Sequence, residues 1–180
     1  ISIASQNSAT VAANVVYWMG VDKFYKYDGR VQTLRCDLLQ HVFSDINQQQ
    51  ADQIFSGTVE RFSEIWWFYP SINSTTIDKY VVYNYIEDIW YYGTMARTAW
   101  LDAGIIAYPL AAGYNYNTIY HEYGVDDNET NVTKAINAYI TTSEFDIDDG
   151  HNFSFIRRIL PDLTFRGSTS DNPSLTLTLM

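Results

Sequence analysis

The chain has 180 residues, enough for one ordinary domain or two small ones, and its 47% hydrophobic content excludes a disordered or collagen-like polymer. Its net charge of −10, with Lys and Arg scattered, excludes the basic stripe that a nucleic-acid grip requires. One cysteine, Cys36, leaves no intrachain disulfide framework and no cysteine metal site.

Aromatic residues make up 16% of the chain, and such side chains suit half-buried pleated surfaces, so strands are expected throughout. The opening Ile1 and the polar stretch Ser5-Gln6-Asn7-Ser8 suggest a piece of a longer polypeptide. No signal peptide and no apolar run of the ~18 residues needed for a membrane span are read. Sequons at Asn73, Asn128, Asn131 and Asn152 are expected from chance in a chain this rich in Asn, Ser and Thr.

The first strand-like run is Val15-Val16-Tyr17-Trp18-Met19, followed by Asp22 to Leu34, in which Asp28-Gly29 supplies the residues a tight hairpin turn needs. From 37 to 50, apolar side chains at Leu38, Leu39, Val42, Phe43 and Ile46 have helical spacing, and Asp37 is the expected N-cap. Ile65-Trp66-Trp67-Phe68-Tyr69 is the next strand.

Residues 78–90 then repeat 22–34 without a gap. Asp-Lys opens each copy, Tyr27 matches Tyr83, Asp28 matches Asn84, and Leu34 matches Trp90. A fainter third copy runs from Asn117 to Tyr123. The spacings from Asp22 to Asp78 and from Asp78 to Asn117 bracket the roughly 40–50 residues of a propeller blade.

Past residue 124 the chain turns polar and acidic, which predicts a linker over 125–134. Strand-like runs follow at Ile136–Ser143, Phe153–Leu160, Leu163–Phe165 and Leu175–Leu179, broken by Pro161-Asp162 and by Gly167 to Pro173. The expected fold class is therefore all-β. Residues 1–124 form a partial β-propeller with one short inserted helix, and 135–180 form an appended antiparallel segment. Tyr83 and Trp90, seven apart across a polar turn, resemble the last hairpin of a kelch blade, although the kelch Gly-Gly pair is absent.

Candidate chemistry is sparse. His41, His121 and His151 sit in unrelated contexts, and no nucleophile elbow, P-loop or His-Glu-x-x-His occurs. Asp146, Asp148 and Asp149 ahead of Gly150 suit a calcium loop, yet no Glu closes it, and Asp149-Gly150 between two strand-like runs reads better as a hairpin turn. Glu60, Glu64, Glu87 and Asp88 are the carboxylates available for glycoside hydrolysis, and solvated turns explain them more simply. Trp66-Trp67 and Trp90-Tyr91-Tyr92 could stack on sugars, but alternation places one member of each cluster in the core. No catalytic, cofactor or metal residue is assigned, and no enzyme is expected.

Three stretches carry a family resemblance: Glu64 to Pro70, Lys79 to Asn84, and Trp90 to Gly93 with Arg97-Thr98-Ala99-Trp100. With Ser143 to Gly150 leading into Arg158-Ile159-Leu160-Pro161-Asp162, they are similar to the tail nozzle, or packaged-DNA stabilization, proteins of short-tailed bacteriophages. The resemblance covers most of residues 15–180 and rests on strand texture. It implies a structural virion protein that forms a homo-oligomeric ring, commonly sixfold. Such a ring docks on other tail and adaptor proteins, extends the DNA exit channel, and holds DNA only as non-specific cargo, with no membrane involved. The acidic balance then suggests a carboxylate-lined channel that repels phosphates. A kelch-like or lectin-like module binding a glycan or a protein, and a glycosidase of propeller fold, are the competing readings.

Overall fold

The structure is a computed structural model that describes residues 1–124, 126–127, 134–136, 139–140, 155, 157–166 and 173–178. It divides into two units, Ile1–Asn137 and Ala138–Met180. In the second unit the described residues are exposed, and Leu163–Phe165 has no pairing partner among them. The runs Ile136–Ser143, Phe153–Leu160 and Leu175–Leu179 lie wholly or partly outside the described residues. No helix among the described residues is long and apolar enough to cross a membrane.

The first unit is all-β. Its first sheet is an antiparallel meander of β1 (Ala9–Ala12), β2 (Val15–Met19), β3 (Phe24–Tyr27) and β4 (Val31–Leu34). Ala12 pairs with Val15, so Ala13 and Asn14 form a two-residue turn. Their φ values of 48° and 63° match the primed turn whose twist suits a hairpin. The β3–β4 turn uses Gly29 at φ 116°, a backbone position that favours glycine. The Gln32 amide braces it by donating to Asp28 Oδ2 at 2.8 Å.

Helix α1 (Leu39–Asp45) follows, inside the span 37–50 expected to hold one short helix, and a separate 3₁₀ segment (Gln48–Gln53) runs past the end of that span. Val42 and Ile46 are buried, and Leu38, Leu39 and Phe43 pack against the same core. Asp37 is not the N-cap. Leu38 occupies that position without a side-chain bond, while Asp37 turns outward to Arg35 at 3.4 Å. A cap must reach a backbone N–H of the first turn, which an outward carboxylate does not do.

The second sheet is again a meander, of β5 (Phe55–Val59), β6 (Glu64–Tyr69), β7 (Lys79–Asn84) and β8 (Ile89–Thr94). Asp78 closes the long β6–β7 loop by accepting from the Ser71 backbone N–H and the Ser71 hydroxyl, both at 2.7 Å. Beside it, Lys79 pairs with Asp45 of α1 at 2.8 Å. Tyr83 and Trp90 face each other across β7 and β8 with ring centroids 4.6 Å apart.

The repeat holds on one side of its turn only. Tyr27 is paired with Val31, whereas Leu34 is paired with Phe24 and points to the opposite face. The structural counterpart of Trp90 is thus Val31, not Leu34. The two turns differ in length, with residues 28–30 in one and 85–88 in the other, so a gapless alignment slips beyond them.

The third sheet has three strands, β9 (Ala99–Leu101), β10 (Leu110–Ala112) and β11 (Thr118–Tyr120), in the order β11-β10-β9. A two-residue pairing of β12 (Asp126–Asp127) with β13 (Lys134–Ala135) lies at the segment expected to be a linker.

The sheets stack in chain order. Tyr17, Met19, Phe24 and Leu34 of the first sheet pack on Ile65, Trp67, Val81 and Tyr83 of the second. Phe24 lies 4.9 Å from the Trp67 ring and 4.6 Å from that of Trp90. The other face of the second sheet, with Phe55, Trp66, Phe68 and Tyr80, receives Trp100 of the third. Sheets buried on both faces read as continuous apolar runs, which is why Ile65–Tyr69 lacks polar alternation.

The first strands of the three sheets run side by side, with β1 beside β5 and β5 beside β9. Ser56 N–H donates to the Asn7 carbonyl at 2.9 Å, and the Trp100 indole N–H donates to the Thr58 carbonyl at 2.9 Å. Each sheet is open.

Candidate interaction surface

The four carboxylates considered for hydrolysis gather at one end of the second sheet, but not in one cleft. Glu64 projects toward the third sheet, where it accepts from the Trp66 indole at 2.9 Å and from the Tyr91 hydroxyl. Asp88 accepts from Tyr83 at 3.0 Å on the side facing the first sheet. The sheet itself separates them. The Glu60 backbone N–H donates to Asp102 at 2.8 Å, and Glu87 sits in an exposed turn whose backbone is held by Asn84 Oδ1 at 3.0 Å. Burial, the largest cause, and the adjoining carboxylates push the Tyr83 and Tyr91 phenols above their ordinary range, so both stay protonated donors.

The histidines are also apart. His41 is exposed and lies against Tyr92, with ring centroids 4.3 Å apart. His121 packs on Trp100 at 4.6 Å and accepts from Arg97 Nε at 3.0 Å through its Nε2. Burial and, secondarily, the Arg97 charge hold its imidazole down at about 4, which keeps it neutral as that bond requires. Cys36 is pushed up to about 11, chiefly by burial, so its thiolate is disfavoured. His151 and the cluster Asp146, Asp148, Asp149 lie outside the described residues. Among the described residues, no three His, Cys, Asp or Glu side chains are grouped to hold a metal ion.

Surface character is more informative. The face of the first sheet that points away from the second carries Ala9, Val11, Val16, Trp18, Tyr25, Tyr27, Val31 and Thr33, placed by the cross-strand register. None is charged. Trp18 stacks on Tyr25 at 5.3 Å, while Val11, Tyr27 and Val31 are exposed. At the other end of the stack, the outer face of the third sheet presents Ala99, Leu101, Leu110, Ala112, Thr118 and Tyr120, again uncharged, with Leu101 and Tyr120 exposed. In a chain of net charge −10, two charge-free sheet faces stand out from a merely solvated surface.

A third feature is an open cleft of about 450 Å³ lined by Tyr116, Asn117, Thr118, Ile119, Tyr120, Tyr123 and Asp126. Tyr123 packs edge-on to Tyr108 at 5.3 Å, which fixes one of its rings. The Trp66 and Trp67 pair is different: both are used internally, Trp67 being fully buried with its indole N–H on the Ser8 carbonyl at 2.9 Å.

Sequence reasoning did not find these two faces, because they depend on register across short strands, such as β1 with its Ala-Thr-Val-Ala composition and the three-residue β9, β10 and β11, which carry little signal. The alternation of Val16, Trp18, Tyr25 and Tyr27 was the available clue. The chain matches no protein-family model and no curated protein.

Proposed function

We propose that this chain is a non-enzymatic structural protein, built as part of a β-propeller, that serves in the tail of a short-tailed bacteriophage as a nozzle component. The observation that supports the propeller part is the order in which the sheets pack. Successive four-, four- and three-stranded meanders stack face to face while their first strands lie together, as blades do around an axis. The Tyr83–Trp90 contact supports a kelch-like last hairpin. The non-enzymatic part is supported by the commitment of Glu64 and Asp88 to phenol and indole donors on opposite faces of one sheet. The tail assignment rests on the resemblance of residues 64–70, 79–84, 90–93 and 97–100, with 143–150 and 158–162, to nozzle proteins.

The channel mechanism changes on this reading. The strands nearest the axis, Ala9–Ala12, Phe55–Val59 and Ala99–Leu101, contain no charged residue. A wall of carboxylates is therefore not what these strands offer, and passing DNA would meet a surface without the cations that bind phosphate. Immunogold labelling of intact particles tests the assignment: gold confined to the tail end supports it, and particles without label oppose it.

The Tyr-lined cleft favours a second reading, a lectin-like module, because exposed Tyr rings beside Asn117 and Asp126 suit a sugar's apolar face and hydroxyls. Saturable oligosaccharide binding that Tyr120→Ala abolishes would favour it over the nozzle.

A further inference from the structure

The third sheet is held to the second by a small set of contacts, and one of them turns on a proton. Its strands are three residues each, and the core it shares with the second sheet has Phe55, Phe68 and Ile77 as its buried members. Trp100 of β9 carries the junction. Its ring stacks on Trp66 at 5.4 Å, and its indole N–H donates to the Thr58 carbonyl at 2.9 Å. Asp102 adds a tie by accepting from the Thr58 hydroxyl at 2.9 Å and from the Glu60 N–H at 2.8 Å. The Tyr114 hydroxyl adds another by accepting from the Ile77 N–H at 2.8 Å.

His121 lies against the same Trp100 ring, with its backbone N–H on the Pro109 carbonyl at 2.8 Å and its Nε2 accepting from Arg97 Nε at 3.0 Å. Arg97 is only 5% exposed, the one buried charged side chain among the described residues, and a second of its nitrogens donates to the Ala96 carbonyl at 2.7 Å. This geometry admits one protonation state. An imidazole that accepts at Nε2 carries its proton on Nδ1. A further proton at Nε2 would turn the acceptor into a donor facing a donor, and would set a second cation against the buried guanidinium. Of the described charges, Arg97 acts on the ring; Glu122 follows it in the chain, with Arg61, Glu64 and Asp102 acting on that carboxylate. The Trp100 face by itself favours an imidazolium, but burial and the guanidinium act the other way.

We propose that the Arg97–His121 bond is a proton-operated latch, whose protonation parts the third sheet from the second while the first two sheets stay packed. The opening is local and precedes global unfolding. The core between the first two sheets is the larger one and holds no carboxylate or imidazole, so the same proton has no site there. The opened sheet takes up a proton with ordinary imidazole affinity, whereas the docked sheet resists it. Each unit fall in pH between 6.5 and about 4 therefore favours the opened form by up to tenfold.

Heteronuclear NMR of the whole isotope-labelled chain tests this as pH is lowered through that interval. Amide signals of residues 97–121 are expected to leave their native positions with the slope of one proton, while those of β2, β3, β6 and β7 keep theirs. The His121 ring signal should change together with the sheet. His121→Gln keeps an acceptor for Arg97 and cannot be protonated, so its third sheet should hold its native signals throughout. A wild-type third sheet that stays in place down to about 4 would overturn the inference, as would three sheets that move together. A His121 ring that titrates apart from the sheet would overturn it without any variant. A transition that persists in His121→Gln would assign the opening to Asp102 or Glu122 instead.

Discussion

At the residue scale, the structure assigns polar groups to structural work and leaves one of them without a partner. Tyr69 is fully buried on β6, and its hydroxyl has no hydrogen-bond partner among the described residues. An unmade buried bond costs about 1–3 kcal/mol, so Tyr69→Phe should leave stability unchanged or raise it by about 1 kcal/mol in urea unfolding. A clear loss would mean that the hydroxyl is bonded. His121 makes a pH-dependent contribution. Its folded pKa of about 4 lies below the ordinary imidazole value of 6.5, so the unfolded chain takes up the proton first. Stability is therefore intact above about 6.5 and declines as pH falls toward about 4, by on the order of 2 kcal/mol. His121→Gln, whose amide oxygen can still accept from Arg97, should flatten that decline. Urea midpoints measured across the interval would check it, and an equal slope in both proteins would contradict it.

At the element scale, the sheets depend on close approach at chosen points. A side chain at Gly57 on β5 would meet the Trp100 ring at 2.5 Å, and that ring is pinned by its bond to the Thr58 carbonyl. Gly57→Val should therefore cost about 1–3 kcal/mol by overpacking and shift the tryptophan emission as the third sheet is pushed away. Emission and stability like those of the wild type would show that the third sheet can yield without cost. The same scale explains what the sequence made legible. β2, β3, β6, β7 and β8 were readable because they are rich in Val, Ile, Tyr and Trp. β1, β5 and β9 were not, since they are short, hold Ala, Ser and Gly, and draw stability from neighbours on either side. The helix was legible from five apolar positions, but its start was misplaced because Asp37 pairs outward with Arg35.

At the scale of the whole molecule, successive antiparallel sheets were foreseeable from the repeat, while the charge-free outer faces of the first and third sheets were not. Faces are set by register, and a turn one residue longer or shorter changes which side chains share one. That is why Leu34 was matched to Trp90, although Val31 is its counterpart. The carboxylates show the same limit. Glu64 and Asp88 are two of the four carboxylates the sequence offers, and only the structure shows that their partners lie on opposite sides of the sheet.

The central claim is that this chain is a component of a phage tail. Peptide mass spectrometry on gradient-purified, nuclease-treated particles from the source culture tests it most directly. The account predicts peptides of this chain co-sedimenting with capsid and portal proteins at a fixed low copy number. Peptides confined to the soluble fraction would contradict it.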